Sequence, residues 1–375
     1  MKKLFFTLSV ILLSISFYPV KAMEKTADIL KKNVVTSGDG LYVDSTIDGR
    51  YIYRGGNPNN YIKLGDDLYR IISVEKDGTI KVVKQDSIGE TPWDKGDSRP
   101  SKAGDDFCYS TGSLGCKVWG SNETMLDESG NKVIQMSWEI GGNLKNLPEK
   151  ESTLNTYLNN DFYNGLSDNI KEYIKEKYWG VGVINYNQED LKESVKEETA
   201  YKWKGKVALI SAIDYIKGSN NSACISIKDY YYANGNSSCY NNSETHNYLY
   251  PKNSEWTISS YSENANRYNS SITTGRGYLG YQHTWINMYV RPAFYLSSET
   301  TLNGEGTETN PYTVSKYVEE TKDEENNNEV DIDNRQLVEV PSTSAQMSII
   351  IASIGIIFIS LAVIITKKMT KNKRI

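Results

Sequence analysis

A chain of 375 residues with 47 acidic and 42 basic side chains, net charge −5, is long enough for one large domain or two small ones with a substantial core. Every acidic residue falls between the two terminal segments, while Lys2, Lys3, Lys21, Lys367, Lys368, Lys371, Lys373 and Arg374 lie in those segments; the part between carries 34 basic against 47 acidic residues, a net charge near −13. Such a surface repels polyanions, which excludes nucleic acid as a partner and disfavours anionic lipid.

At the N-terminus, Met1, Lys2 and Lys3 precede an apolar run from Leu4 to Phe17, Pro19 breaks it, and Val20-Lys21-Ala22 offers small or apolar residues to a signal peptidase. This order predicts a signal peptide over 1–22, cleaved after Ala22. Residues 23–46 form a leading segment ahead of an extracellular domain over 47–317. Val318 to Asn334 is Glu, Asp and Asn with scarcely an apolar residue. It buries too little surface to offset its ordering entropy, so 318–340 is expected to be a disordered acidic stalk. Residues 341–346 lead into Met347–Thr366, an apolar stretch of about twenty residues that at 1.5 Å per residue reaches across roughly 30 Å of hydrocarbon. The basic tail 367–375 then stays in the cytoplasm by the positive-inside rule. The expected topology is single-pass, N-terminus outside, at the cell membrane or cell wall.

Within the domain, Leu68, Ile71, Ile72 and Val74, then Asp77-Gly78, then Ile80, Val82 and Val83 predict hairpins over 61–83, because Asp-Gly supplies a tight turn. Gly65-Asp66 marks the turn before them. Residues 88–143, rich in Gly, Ser and Asp, read as a long irregular insertion. Leu154, Tyr157, Leu158 and Phe162 share a helical face behind a Ser152 cap, and a second helix from Ser167 is expected to bury Ile170, Tyr173 and Ile174. Strands are expected at 178–186 and 206–210, then a short helix capped by Ser211, and late strands at 256–260 and 288–296. Early hairpins, two or three central helices and late strands make an α+β domain with an antiparallel sheet, followed by one C-terminal transmembrane helix.

Cys108, Cys116, Cys224 and Cys239 form two local pairs in the exported part, so the expected disulfides are Cys108–Cys116 and Cys224–Cys239. CxxC spacing for zinc is absent. His246 and His283 fall in no HExxH pattern, there is no GxSxG elbow and no phosphate-binding GxxxxGK[ST] loop, and Asp105-Asp106 reads as a solvated loop pair. No catalytic, cofactor or metal residue is assigned. Aromatic residues carry the only hint of a ligand: Trp93, Trp119, Trp256 and Trp285 lie in Gly-, Ser- and Asn-rich stretches where an exposed indole stacks on a sugar, or else they pack a core. The run Tyr230-Tyr231-Tyr232 suits packing and recognition equally.

The segments Asn60–Leu64, Leu68–Val74 and Asp77–Lys81, the helix Leu154–Phe162, the strand Val290–Leu296 and the closing turn Gly304–Tyr312 resemble uncharacterised secreted surface proteins of low-GC Gram-positive bacteria. Those resemble in turn the C-type lectin-like core shared with formylglycine-generating enzymes. The resemblance implies that fold but neither chemistry. The Glu-Pro-Asn, Gln-Pro-Asp and Trp-Asn-Asp calcium motifs are missing, Trp285-Ile286-Asn287 being a partial echo, and no active-site cysteine pair is identifiable. Val340-Pro341-Ser342-Thr343-Ser344 ahead of the apolar stretch and basic tail resembles a sortase signal of the Leu-Pro-x-Thr-Gly class. Val340 replaces Leu and Ser344 replaces Gly, so a sortase and a plain membrane anchor both remain open. The function expected is a cell-surface-displayed, non-enzymatic ligand-binding or adhesion protein recognising a glycan or an extracellular protein; the alternative is a wall-associated hydrolase or modifying enzyme.

Overall fold

Short apolar runs separated by glycine turns build the centre of the molecule. The computed structural model describes residues 23–95, 115–136, 145–233, 235–261, 269–273 and 275–318. All of them fall in one unit, Met1–Glu320. Helix α1 (Thr26–Lys31) is followed by β1 (Gly40–Val43) and β2 (Tyr51–Arg54), which pair antiparallel. The leading segment is thus part of the fold: Ala27, Leu30 and Leu41 are buried, and the Thr26 and Thr300 hydroxyls meet at 2.9 Å.

Strands β3 (Tyr61–Leu64), β4 (Asp67–Val74) and β5 (Ile80–Lys84) are antiparallel neighbours, as the hairpin pattern requires. Gly78 takes φ +81° in the second turn, a conformation open to glycine because it has no Cβ to clash. The stretch expected to be irregular holds three short strands, β6 (Glu90–Pro92), β7 (Met125–Asp127) and β8 (Gln135–Met136), the last paired with β9 (Lys145–Asn146).

Ser152 caps α2 (Thr153–Tyr157), its hydroxyl accepting from the Asn155 N–H at 3.2 Å. The helix continues through a π turn (Leu158–Phe162) into α3 (Tyr163–Gly165), burying Leu154 and Leu158. The helix expected after Ser167 is a single turn, α4 (Asp168–Lys171); Ile174 is buried instead on β10 (Ile174–Lys175), where it pairs with Leu296. The strand expected over 178–186 is two, β11 (Lys177–Gly180) and β12 (Val183–Ile184), which join different sheets.

Helix α5 (Leu191–Thr199) carries no apolar stripe, since its buried residues are Ser194, Val195 and Glu198. After β13 (Tyr201–Gly205) and β14 (Val207–Ala208), Ser211 and Asp214 form a reciprocal capping box on α6 (Ala212–Lys217). Two short helices follow, α7 (Ile227–Tyr230) and α8 (Ser237–Tyr240). The last strands are β15 (Glu255–Tyr261), β16 (Asn269–Thr273), β17 (Leu279–His283), β18 (Asn287–Tyr289), β19 (Ala293–Leu296), β20 (Thr300–Asn303) and β21 (Tyr312–Lys316). The strand expected over 288–296 is split at Pro292, which has no N–H for a ladder.

Ten strands make the main sheet, with the path β10-β19-β5-β4-β3-β21-β20; β14 adds to β19, and β2 with β1 adds to β4. A six-stranded sheet runs β17-β16-β15-β18-β6, with β12 on β15, and a third runs β11-β13-β7. This is an α+β fold, mostly strands with few helices. Among the described residues no helix is long and apolar enough to cross a membrane. The expected signal peptide 1–22, the stalk beyond Val318, the sorting residues 340–344 and the apolar stretch 347–366 lie outside the described residues.

Candidate functional site

Among the described residues, chemistry-bearing side chains meet in three places. The first is an ionic cluster inside the main sheet. Arg50, ahead of β2, donates from Nη2 to Asp214 Oδ1 at 2.9 Å, and Lys81 of β5 donates to Asp214 Oδ2 at 2.5 Å. Arg50 Nε also stands 3.4 Å from Glu75, and Lys217 holds both Asp44 oxygens at 2.8 and 3.1 Å. Lys81 lies over the rings of Trp179 (4.8 Å) and Tyr295 (5.6 Å). Burial alone would raise the Asp214 pKa, yet the charges of Lys81 and Arg50 hold it well below the usual carboxylate range. Beside them Glu198 lacks such a partner, and burial, reinforced by the charge of Asp214, pushes it up to about 7. Arg50, Lys81 and Asp214 are buried and pair with one another, which makes the cluster a device for holding β2, β5 and α6 together.

The second place is a cleft of about 650 Å³ lined by β1, the start of α5 and the Cys224–Ile225 corner. Its charged groups are largely committed: Asp44 to Lys217, Glu189 to Lys228, and Arg54 to the Ser219 carbonyl at 2.8 Å and the Tyr42 ring at 5.0 Å. Nearby, Ser219 Oγ and His246 Nδ1 are 2.8 Å apart, a spacing also found between nucleophile and base. Ser219 is only 1% exposed and its hydroxyl accepts the Asn221 N–H at 3.1 Å, so the pair is built into the packing beside the cleft. Among the described residues no group of three or more His, Cys, Asp or Glu is placed to hold a metal ion.

The third place is at the surface. A disulfide joins Cys224 and Cys239, as expected, and closes the segment that carries Tyr230–Tyr232. Tyr232 donates its backbone N–H to the Leu279 carbonyl at 3.2 Å, and Tyr231 bridges Leu279, so the segment lies along the outer edge of β17. Gly277, at φ +79°, turns the chain into that strand; a Cβ there would meet Ser243 Oγ at 2.1 Å, and its carbonyl accepts the Tyr215 hydroxyl at 2.7 Å. Tyr278 and Tyr281 therefore emerge beside Tyr232. Ring centroids run Tyr240–Tyr278 at 5.7 Å, Tyr278–Tyr232 at 5.7 Å and Tyr232–Tyr281 at 6.1 Å. Beneath this row, Tyr281 stacks on buried Tyr261 at 4.8 Å, Tyr261 leans on Tyr186, and Tyr186 stacks on Tyr231 at 4.4 Å. Tyr281, and Tyr232 through Tyr231, are thus held from below by a packed aromatic column, while Tyr232 is 46% exposed. A hydrogen bond with Tyr281, aided by burial, pushes the Tyr232 pKa up to about 12, so its phenol stays neutral through the physiological range.

Residues 144–298 match the family described as a domain of unknown function, DUF6273. The match takes in the whole tyrosine row and the disulfide. No curated protein and no solved structure matches the chain.

Of the four tryptophans left open between stacking on a sugar and packing a core, three are core. Trp93, Trp119 and Trp256 are 0, 1 and 2% exposed. Trp93 meets Trp119 at 5.1 Å and Trp256 at 5.9 Å, edge to face, and Trp119 meets Trp203 at 5.9 Å. Polar flanking sequence left the choice open because each indole is covered by the others rather than by its sequence neighbours. Trp285 is half-buried and stacks on the exposed His283 at 4.3 Å. Cys116 is disulfide-bonded and no described cysteine is free; Cys108, its expected partner, lies outside the described residues. Of the tyrosine row, the sequence pattern pointed only to Tyr232. Tyr278 and Tyr281, either side of Leu279-Gly280 in a Gly-rich stretch, were the remaining signal.

Proposed function

We propose that this chain is a cell-surface-displayed, non-enzymatic ligand-binding or adhesion protein whose ligand is a glycan and whose recognition surface is the row Tyr240, Tyr278, Tyr232 and Tyr281. The observation that carries this is the 46% exposed Tyr232 ring, braced by ring contacts to Tyr231, Tyr278 and Tyr281. An exposed phenol ring presents an apolar face for the C–H face of a sugar and a hydroxyl for its oxygens. Because the rings are pre-positioned, little side-chain freedom is lost on binding. The signal-like N-terminus, acidic stalk, sorting-like motif and C-terminal apolar stretch with its basic flank favour display outside the cell. In this reading the mixed α+β architecture is a C-type lectin-like core, and the chain is a surface protein of the kind its segments resemble. A glycan and extracellular-matrix array tests the function: saturable binding without product release, lost in Tyr232→Ala, is expected. Product release, or equal binding by Tyr232→Ala, overturns it.

A further inference from the structure

The 650 Å³ cleft beside β1, which none of the four tyrosines lines, joins an apolar floor to an unfinished strand edge. Ile52 of β2 and Ile216 of α6 are buried in the floor. Two further lining residues are aliphatic side chains that folding leaves in water, Val43 at 64% and Ile225 at 57% exposure. A branched aliphatic left in water gains nothing from packing, and two of them on one cleft mark a surface suited to an apolar ligand. The volume is that of sites that hold a small molecule or a few residues of peptide.

The wall at β1 is a strand edge. In an antiparallel ladder, residues whose N–H and C=O face the partner strand alternate with residues whose groups face away. Asp44 donates its N–H to the Arg50 carbonyl at 2.9 Å, and Tyr42 pairs with Ile52, so the polar groups of Leu41 and Val43 face away from β2. At Leu41 the preceding segment answers them: Val34 bridges Leu41, and the Val35 N–H donates to the Leu41 carbonyl at 2.8 Å. At Val43, two residues on, no described residue takes up the outward N–H and carbonyl, and Val43–Thr46 line the cleft. An extended chain laid along that edge completes both bonds. Its residues on either side of the one opposite Val43 then share the face of Ile52, because side chains alternate along a strand.

Charge narrows the ligand further. The carboxylates of the cleft are engaged: Asp44 by Lys217 at 2.8 Å, Glu189 by Lys228, and Asp190 by the Lys192 N–H at 2.8 Å. Among its cations, Arg54 donates Nε to the Ser219 carbonyl, which leaves its Nη groups, and the exposed Lys192 ammonium meets no carboxylate among the described residues. An acidic group entering the cleft therefore finds cations to pair with, whereas a basic group finds carboxylates already paired. We propose that the cleft is a second binding site, which takes an extended peptide along the outer edge of β1 at Val43. An aliphatic side chain of that peptide lies over Ile52 and Ile216, and an acidic one, two residues away, reaches Arg54 and Lys192. The site is independent of the glycan-binding reading.

The test follows fluorescein-labelled pentapeptides by fluorescence anisotropy as the purified full-length chain is added. The probes are Thr-Val-Thr-Glu-Thr and the reverse order Thr-Glu-Thr-Val-Thr, also with Leu or Ile for Val. Each is made with Lys for Glu, and again with the central residues N-methylated so that they cannot donate to an edge. Decanoate serves as a competitor that is an apolar anion without a peptide backbone. Saturable binding of at least one Glu peptide is expected, weaker by about fivefold or more for its Lys and N-methylated versions. Val43→Pro removes an outward N–H and no ladder bond, and should weaken the Glu peptide about fivefold. Ile225→Ser, at an exposed position, should cost about threefold, and Lys192→Glu should remove the preference for Glu over Lys. Far-ultraviolet circular dichroism and an unchanged Tm show that each variant is folded. No binding of any peptide up to about 1 mM overturns the proposal, since even a weak site registers there. So does binding that N-methylation and a folded Val43→Pro leave unchanged, a preference for the Lys peptides, or full displacement by decanoate at the same concentration as unlabelled peptide.

Discussion

Replacing Glu198 by Gln isolates the one buried carboxyl of the ionic cluster that has no dedicated cation. Glu198 is 9% exposed, and its Oε2 accepts from Ser259 Oγ at 3.3 Å, a contact that an amide oxygen preserves. In the folded protein its pKa rises from the ordinary 4.5 to about 7, chiefly through burial. A carboxyl so raised binds its proton more tightly when folded, so its contribution to stability is complete below pH 4.5 and is lost as pH climbs through 7. The gap of about 2.5 pH units, at 1.36 kcal/mol each, makes the loss roughly 3 kcal/mol. Gln cannot ionise and escapes that loss. Glu255, which burial also raises, is present in both proteins, so it cancels in the comparison. Denaturant unfolding at pH 4 and pH 8 measures the effect: near-equal stability at pH 4 and a Gln variant more stable by roughly 3 kcal/mol at pH 8 are expected. A difference that is the same at both pH values, or a Gln variant less stable at pH 8, would refute the assignment of Glu198 as a carboxyl held neutral by burial.

Asp214→Ala leaves Arg50 and Lys81 buried without their shared carboxylate and removes the capping box of α6, so a loss of roughly 3 to 5 kcal/mol is expected by denaturant unfolding; a cost under about 1 kcal/mol would show that solvent reaches the cluster. Non-reducing peptide mapping should recover Cys224 linked to Cys239 and Cys108 linked to Cys116, and four alkylatable thiols in native protein would end that pairing. Replacing both Cys224 and Cys239 by Ser should cost roughly 3 kcal/mol of stability, the chain-entropy value for a loop of this length. In a host with a matching sortase, mass spectrometry of wall-released protein should place the C-terminus at Thr343; intact chain retained in the membrane fraction with its Lys- and Arg-rich tail would leave a plain membrane anchor instead.

Features that depend on neighbours in the chain were legible before any coordinates. The hairpins β3 to β5 follow from alternating apolar residues around Gly65 and Gly78, and the Ser152 and Ser211 caps from short side chains that satisfy free helix N–H groups. Cys224 and Cys239 are close in sequence and flanked by small residues, so their pairing was readable too. Helix α5 was not, because its buried face is Ser194, Val195 and Glu198 and leaves no hydrophobic period. Lys81 alternates with Ile80 and Val82 as a solvent-facing residue would, yet it is buried over Trp179 against Asp214. Only the tertiary structure decided which aromatics face water. Trp93, Trp119, Trp203 and Trp256 come from distant segments and bury one another, whereas Tyr232, Tyr240, Tyr278 and Tyr281 are gathered by the disulfide-closed segment and an edge strand, where Tyr232 is exposed and the other three are half-buried. Local pattern sets turns, caps and strand period through the backbone; burial is settled by what packs against a side chain from elsewhere, and that information is not local.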